Sequence, residues 1–312
     1  MRATILALLC LLPACSSAGG KSRNTGEVRS VAELPESYSK LWLAFRGETV
    51  EWPALRDAAL LDPGQESFLV QNLVRTLLQG LQARQADKLN QSGARLCQRA
   101  SEELLSMGSA AAEAVAELLA VSRGEVTELA SKLLLRMGPE ALDALLVILV
   151  REEPVNARRQ AATLLADMPY GLEGREQLVR EALAERLEQD PDWLVRKRAA
   201  RALALRGLRD TSVEEARRAL CAALSDTDFD VRHEAILGLL RLDDPGCVPA
   251  LINLLERSSR AADPGGMAQA QKALQEITNT SERRKPMEWR TFWRDQRKAL
   301  MGSTGAKTGS DR

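Results

Sequence analysis

The chain has 312 residues, of which 45% are hydrophobic but only 4% aromatic, with 43 Lys and Arg set against 43 Asp and Glu. That length holds one large core or two ordinary ones, and a usage dominated by Ala, Leu, Arg and Glu is that of closely packed helices rather than sheets. Balanced charge gives no global attraction to a polyanion or an anionic lipid surface, and a single histidine, His233, argues against most acid–base and metal sites.

The chain opens with Arg2, an apolar run from Ala3 to Leu12 and then small residues. This reads as a secretory signal over residues 1–14, too short to remain as a membrane-spanning helix. Leu12-Pro13-Ala14-Cys15 resembles the lipobox of bacterial lipoproteins, although Pro13 stands where a small or hydroxyl residue is usual. The resemblance implies cleavage before Cys15 and lipidation of that residue; cleavage after Ala14 by an ordinary signal peptidase, giving a soluble secreted protein, and no cleavage at all are the alternatives. Residues 15–36, rich in Ser and Gly between Ser16 and Gly26, suit a flexible tether. Two glycerol-linked chains plus an N-acyl chain on Cys15 would exceed what stable anchoring needs. The expectation is an exported protein, lipid-anchored at the cell envelope on the periplasmic side. Ser16 replaces the aspartate that resembles an inner-membrane retention signal, so the outer membrane is favoured.

Residues 37–91 show helical apolar spacing and form a predicted N-terminal helical cap. From 92 to 280 one stripe recurs, as Leu96/Ala100/Leu104, Val126/Ala130/Leu134, Ala157/Ala161/Leu165, Val195/Ala199/Leu203, Val231/Ala235/Leu239 and, more weakly, Gln269/Ala273/Ile277. Positions i, i+4 and i+8 share one helix face, so each set predicts a buried stripe with a small alanine where neighbouring helices meet. Its recurrence every 30–38 residues predicts about six helix pairs. Gly108 and Gly138 fall at helix ends, and Pro139 and Pro249 in the first turn of second helices. Cys97, Cys221 and Cys247 lack CxxC spacing and read as small core residues, with a Cys221/Cys247 bridge as the alternative. Residues 281–301 carry Trp289 and Trp293 four apart, an apolar plug for the last pair. Residues 302–312 have nothing to bury and are expected to be disordered. The fold class is therefore all-α, an α-solenoid of antiparallel helix pairs.

DPDWLVRKRAARALALRG (190–207) and DTDFDVRHEAILGLLRLDDPGCVPALINLL (226–255) resemble HEAT repeats, in an aspartate, a Val-Arg step, paired small residues and a leucine. The resemblance extends over roughly residues 92–280. It implies an intramolecular ladder in which Arg158, Arg196 and Arg232 pair with aspartates such as Asp190 and Asp226. Cys97 and Thr127 stand where Arg would be in the first two pairs, so the ladder should start late. The resemblance also directs residues just after the ladder arginine outward. Arg159, Lys197, Arg198, Arg201 and His233 would then form a cationic strip for an acidic peptide or partner helix, or else an ordinary solvated face. The closing helix resembles the tryptophan-rich helix that follows HEAT arrays in some bacterial proteins.

HEAT arrays fix no chemistry. Deoxyhypusine hydroxylase, a HEAT-repeat enzyme, binds iron through several His-Glu pairs, whereas His233-Glu234 is one pair and cannot close such a site. A HEAT-like lyase of the bilin-lyase type is an alternative, set back by export away from cytoplasmic bilins. Nucleic-acid binding would need a basic groove with stacking aromatics, and Glu181, Glu185, Glu188 and Asp190 neutralise the arginine-rich stretch. The expectation is a non-enzymatic, membrane-anchored scaffold or adaptor with protein partners, and with no cofactor, metal, nucleic acid or small-molecule substrate. A structural spacer or assembly factor of the envelope is the remaining alternative.

Overall fold

The computed structural model describes residues 35–305 apart from 88, 153, 170, 172 and 209–212, and gives the backbone alone for 173 and 299–305. The leader, the lipidation residue Cys15, the tether up to residue 34 and residues 306–312 lie outside the described residues. No strand occurs among the described residues, and no helix there is long and apolar enough to cross a membrane. The chain divides into two compact units, Met1–Leu145 and Leu146–Arg312.

The first unit holds α1 (Glu36–Gly47), α2 (Trp52–Ala59), α3 (Pro63–Ala86), α4 (Gln91–Ser106), α5 (Ser109–Glu117) and α6 (Gly124–Met137), ending in the first turn of α7 (Leu142–Val150). Two of these helices, α3 and α4, start on a side-chain cap. Asp62 Oδ1 accepts from the backbone N–H of Gly64 and Gln65 with Pro63 at the first helical position, and Asn90 Oδ1 accepts from Gly93 N–H. Gly108 and Gly138 break the chain between helices with φ of 54° and 63°, a backbone conformation that strains any side chain with a Cβ.

The second unit continues with α8 (Val155–Asp167), α9 (Glu173–Gln189), α10 (Trp193–Gly207), α11 (Val213–Ala223), α12 (Phe229–Leu242), α13 (Val248–Arg260), α14 (Pro264–Ile277) and α15 (Pro286–Gly305). First helices stack in order, α8 on α10, α10 on α12 and α12 on α14, while α9 meets α11 and α13 meets α15 in the second layer. Each second helix packs closely on the first helix of the following pair, α9 on α10, α11 on α12 and α13 on α14. This two-layer stacking is the expected α-solenoid.

The alanines at the middle of the stripe explain how closely the helices approach: Ala100, Ala130, Ala161, Ala199 and Ala235 are 0% exposed. Two stripe positions differ from the sequence reading. Leu96 is 46% exposed and Cys97 is buried in its place; Gln269 is half-buried while Ala270 is buried. In both helices the core face passes through i, i+3 and i+7 (Cys97/Ala100/Leu104 and Ala270/Ala273/Ile277), a one-residue rotation that a 3.6-residue period permits. Helix α15 runs through Gly305, so residues 302–305 are helical where disorder was expected. Of its two tryptophans only Trp289 is a buried plug, 0% exposed, with its indole N–H donated to Gln271 Oε1 at 3.2 Å. Cys97, Cys221 and Cys247 are all free thiols; burial pushes the Cys247 thiol up to about 12, so it stays a protonated, unreactive core group.

Candidate interaction surface

Two arginine–aspartate ion pairs of the second unit lie where one helix pair meets the next. Arg158 Nε and Nη2 donate to Asp190 Oδ2 and Oδ1 at 2.9 and 3.2 Å, and its Nη1 donates to the Arg151 carbonyl at 3.1 Å. Arg196 repeats the arrangement, bidentate to Asp226 at 2.7 and 2.9 Å and donating to the Asp190 carbonyl at 2.9 Å. Each aspartate also accepts the backbone N–H two residues on, of Asp192 and Asp228. One guanidinium thus ties the turn before its own helix to the turn before the next, and its planar fork suits a carboxylate.

Arg232 holds its own turn, donating to the carbonyls of Asp226 and Thr227 at 2.8 and 2.9 Å, but makes no ion pair among the described residues. The sequence explains the missing rung. The turns before α10 and α12 read Asp190-Pro-Asp192 and Asp226-Thr-Asp228, whereas the turn before α14 reads Ala261-Ala-Asp263. The capping aspartate remains and the bridging one is gone. Thr127 keeps the local half of the device in the first unit, its hydroxyl donating to the Val121 carbonyl at 3.0 Å.

The expected outward strip is largely a second ladder. Arg159 is bidentate to Asp192 at 2.9 and 2.6 Å, and Lys197 Nζ lies 3.2 Å from Asp230. Next in the series, His233 Nδ1 accepts from Gln269 Nε2 at 2.9 Å, and its ring stacks parallel to Phe229. Arg198 is half-buried and donates to the Arg159 carbonyl at 2.8 Å. Only Arg201 of the five is fully exposed. The strip is therefore corrected: the residue after each ladder arginine faces the N-terminal half of the next first helix, where Asp192, Asp230 or Gln269 meets it. Glu234 turns to Arg241 at 3.4 Å, and no cluster of three His, Cys, Asp or Glu fit to hold a metal occurs among the described residues.

The electrostatics follow the geometry. The Asp192 carboxyl is held below its usual range chiefly by the bond from Arg159, against the opposing effect of burial. Burial pushes the Asp226 carboxyl up, but Arg196 and the Asp228 N–H together outweigh it and leave it lowered.

Several structural partners escape sequence reasoning. Asp192, Asp230 and Gln269 complete the second ladder from the next repeat, and the repeated Asp-x-Asp was the signal for the first of them. Glu176 and Arg206, each 0% exposed in its side chain, form a buried ion pair between α9 and α10, with Arg206 Nε also donating to the Leu165 carbonyl at 2.8 Å. Nothing in the local pattern marks that pair. A cleft of about 480 Å³ lies at α13 and α15, where Pro249, Ile252 and Asn253 face Trp293, Arg294 and Arg297.

Residues 180–275 match the family model of HEAT repeats, a segment that contains both Asp-x-Asp turns and the Arg196–Asp226 rung. No curated protein matches the chain.

Proposed function

The chain is a HEAT-repeat protein over residues 180–275, and from that premise we propose that it is a non-enzymatic scaffold or adaptor, exported and held at the bacterial cell envelope by a lipid on Cys15. HEAT repeats suggest a protein-interaction surface, and the match over residues 180–275 carries the reading. The ladders support it, because they use the charged groups of the second unit to fix each repeat on the next. Export rests on the leader sequence and anchoring on Leu12-Pro13-Ala14-Cys15.

Crosslinking in native membranes followed by mass spectrometry tests both halves. The wild-type chain is expected in the outer-membrane fraction with a reproducible crosslinked protein, and Cys15→Ala in the soluble periplasmic fraction with that crosslink lost. Equal fractionation of the two would end the anchoring claim, and a wild-type sample with no crosslinked protein above background would end the scaffold claim.

A further inference from the structure

We propose that the cleft between α13 and α15 is a docking groove for an acidic amphipathic helix of a partner protein, an inference that rests on the scaffold reading and names the chemistry of its partner. Three observations carry it. The walls are two helix faces: Pro249, Ile252 and Asn253 stand at i, i+3 and i+4 on α13, and Trp293 and Arg297 at i and i+4 on α15. A third helix fills such a furrow by ridge-into-groove packing and contributes its own residues at the same spacing.

The second observation is charge. Arg290, Arg294, Arg297 and Lys298 border the cleft, and no acid lines it among the described residues. Arg290 is already bound to Glu256 and lies 3.2 Å from Asn253 Oδ1, and Arg294 has an exposed contact with its neighbour Asp295 at 3.7 Å. Arg297 and Lys298 make no ion pair among the described residues. These two cations, beside the apolar surface of Trp293, call for carboxylates on the occupant.

The third observation is Trp293. Its side chain is half-buried, and its indole N–H is screened from water and has no acceptor among the described residues. A buried donor left unmatched is unfavourable. A half-buried tryptophan beside arginines is also the composition of an interface anchor. Pro249 and Trp293, above the buried Ile252, leave apolar surface for one large aliphatic side chain, which a nucleic acid or a simple anion would leave uncovered.

The probe is a fluorescein-labelled helical peptide of about 18 residues, five turns, made of Leu, Ala and Glu with Leu at every third or fourth position. Its controls are the same peptide with Gln for Glu, and a scramble of the same composition. Anisotropy titration with the full chain is expected to give saturable binding. Arg297→Glu/Lys298→Glu, which alters exposed side chains alone, should weaken it at least tenfold, as should Trp293→Ala; the Gln and scrambled peptides should bind at least tenfold more weakly than the probe.

Unsaturable binding, equal binding of the scramble, or unchanged affinity in the charge-reversed variant would overturn the groove. So would displacement of the probe by phosphatidylglycerol vesicles, which would make the occupant a membrane, or a dimer in sedimentation that Trp293→Ala abolishes, which would make it a second copy. Should Trp293→Ala fail to fold by circular dichroism, Arg297→Glu/Lys298→Glu decides alone. Failure here leaves the membrane crosslink of the wild type in place, whereas failure of the scaffold reading removes it.

Discussion

Two close contacts, one in each unit, are held by different means. In the first, α3 and α4 approach through missing side chains: a Cβ on Gly80 would lie 2.7 Å from Cys97 N and 2.8 Å from the Gly93 carbonyl, and one on Gly93 would lie 2.8 Å from Ala83 Cβ. In the second, successive pairs are spanned by Arg158–Asp190 and Arg196–Asp226, long side chains crossing between turns. Both units share the alanine stripe, so burial of apolar surface drives the stacking in each. What differs is how a helix is kept from sliding along its neighbour. Backbone contact between glycines allows one depth of approach, and a bidentate fork allows one register. Buried ion pairs contribute little net stability over an apolar pair, so the ladder's contribution is to position rather than to energy.

Breaking one rung is expected to have the largest effect. The Arg158–Asp190 pair is shut off from water, with side-chain exposures of 2% and 0%. Asp190→Ala strands a buried guanidinium and should cost about 3–5 kcal/mol, read as a lowered urea midpoint of the second unit. The sharper test is Arg158→Leu/Asp190→Leu, expected to recover most of that loss. A double variant as unstable as the single one would show that the rung supplies net stability and that the contrast with the glycine contact is mistaken.

The equivalent break in the first unit is Gly80→Ala. The atoms that a new Cβ would meet are backbone, which cannot swing aside, so overpacking should cost about 1–3 kcal/mol. The loss should appear in hydrogen exchange of α3 and α4. Exchange that speeds up uniformly along the chain would mean that the glycines are not a local spacer.

Much of this contrast was legible in the residues, and the illegible part has a physical cause. The alanine stripe depends on local periodicity, and a window of about a dozen residues carries it. The rotation that buries Cys97 and exposes Leu96 is set by the glycine contact with α3, and the sequence of α4 alone does not contain it. Outward direction was inferred for Arg159 and Lys197 from their place after the ladder arginine. Their partners Asp192 and Asp230 lie 33 residues on, where a change of one residue in a turn would misalign them. Trp293 and Trp289 share a spacing typical of one buried face, yet only the position of α13 decides which of them is covered. Cys15, on which the proposed localisation rests, lies outside the described residues.

A smaller effect comes from acid. Asp192 and Asp226 have lowered carboxyl pKa values in the folded chain, against about 3.9 when unfolded. A group depressed on folding contributes stability that is fully present above its unfolded value and is lost as pH falls through the folded one. The second unit should therefore weaken progressively below about pH 4, and Asp226→Asn should flatten that dependence while lowering stability at pH 7. An unchanged slope in the variant would place the acid sensitivity elsewhere.

The smallest expected effect separates the two ladders. Arg159 is 32% exposed and Asp192 15%, so water competes for both, and Asp192 keeps its bond from Val195 N–H at 3.0 Å when the arginine is gone. Arg159→Ala should therefore cost only about 0.2–1 kcal/mol, as exposed pairs do, and Asp192→Ala more, because the helix cap is lost as well. Urea titrations of the two variants measure the difference. An Arg159→Ala loss as large as that of Asp190→Ala would mean that the outer rungs bear on the register of α8 and α10 as much as the inner ones, and that burial does not rank them.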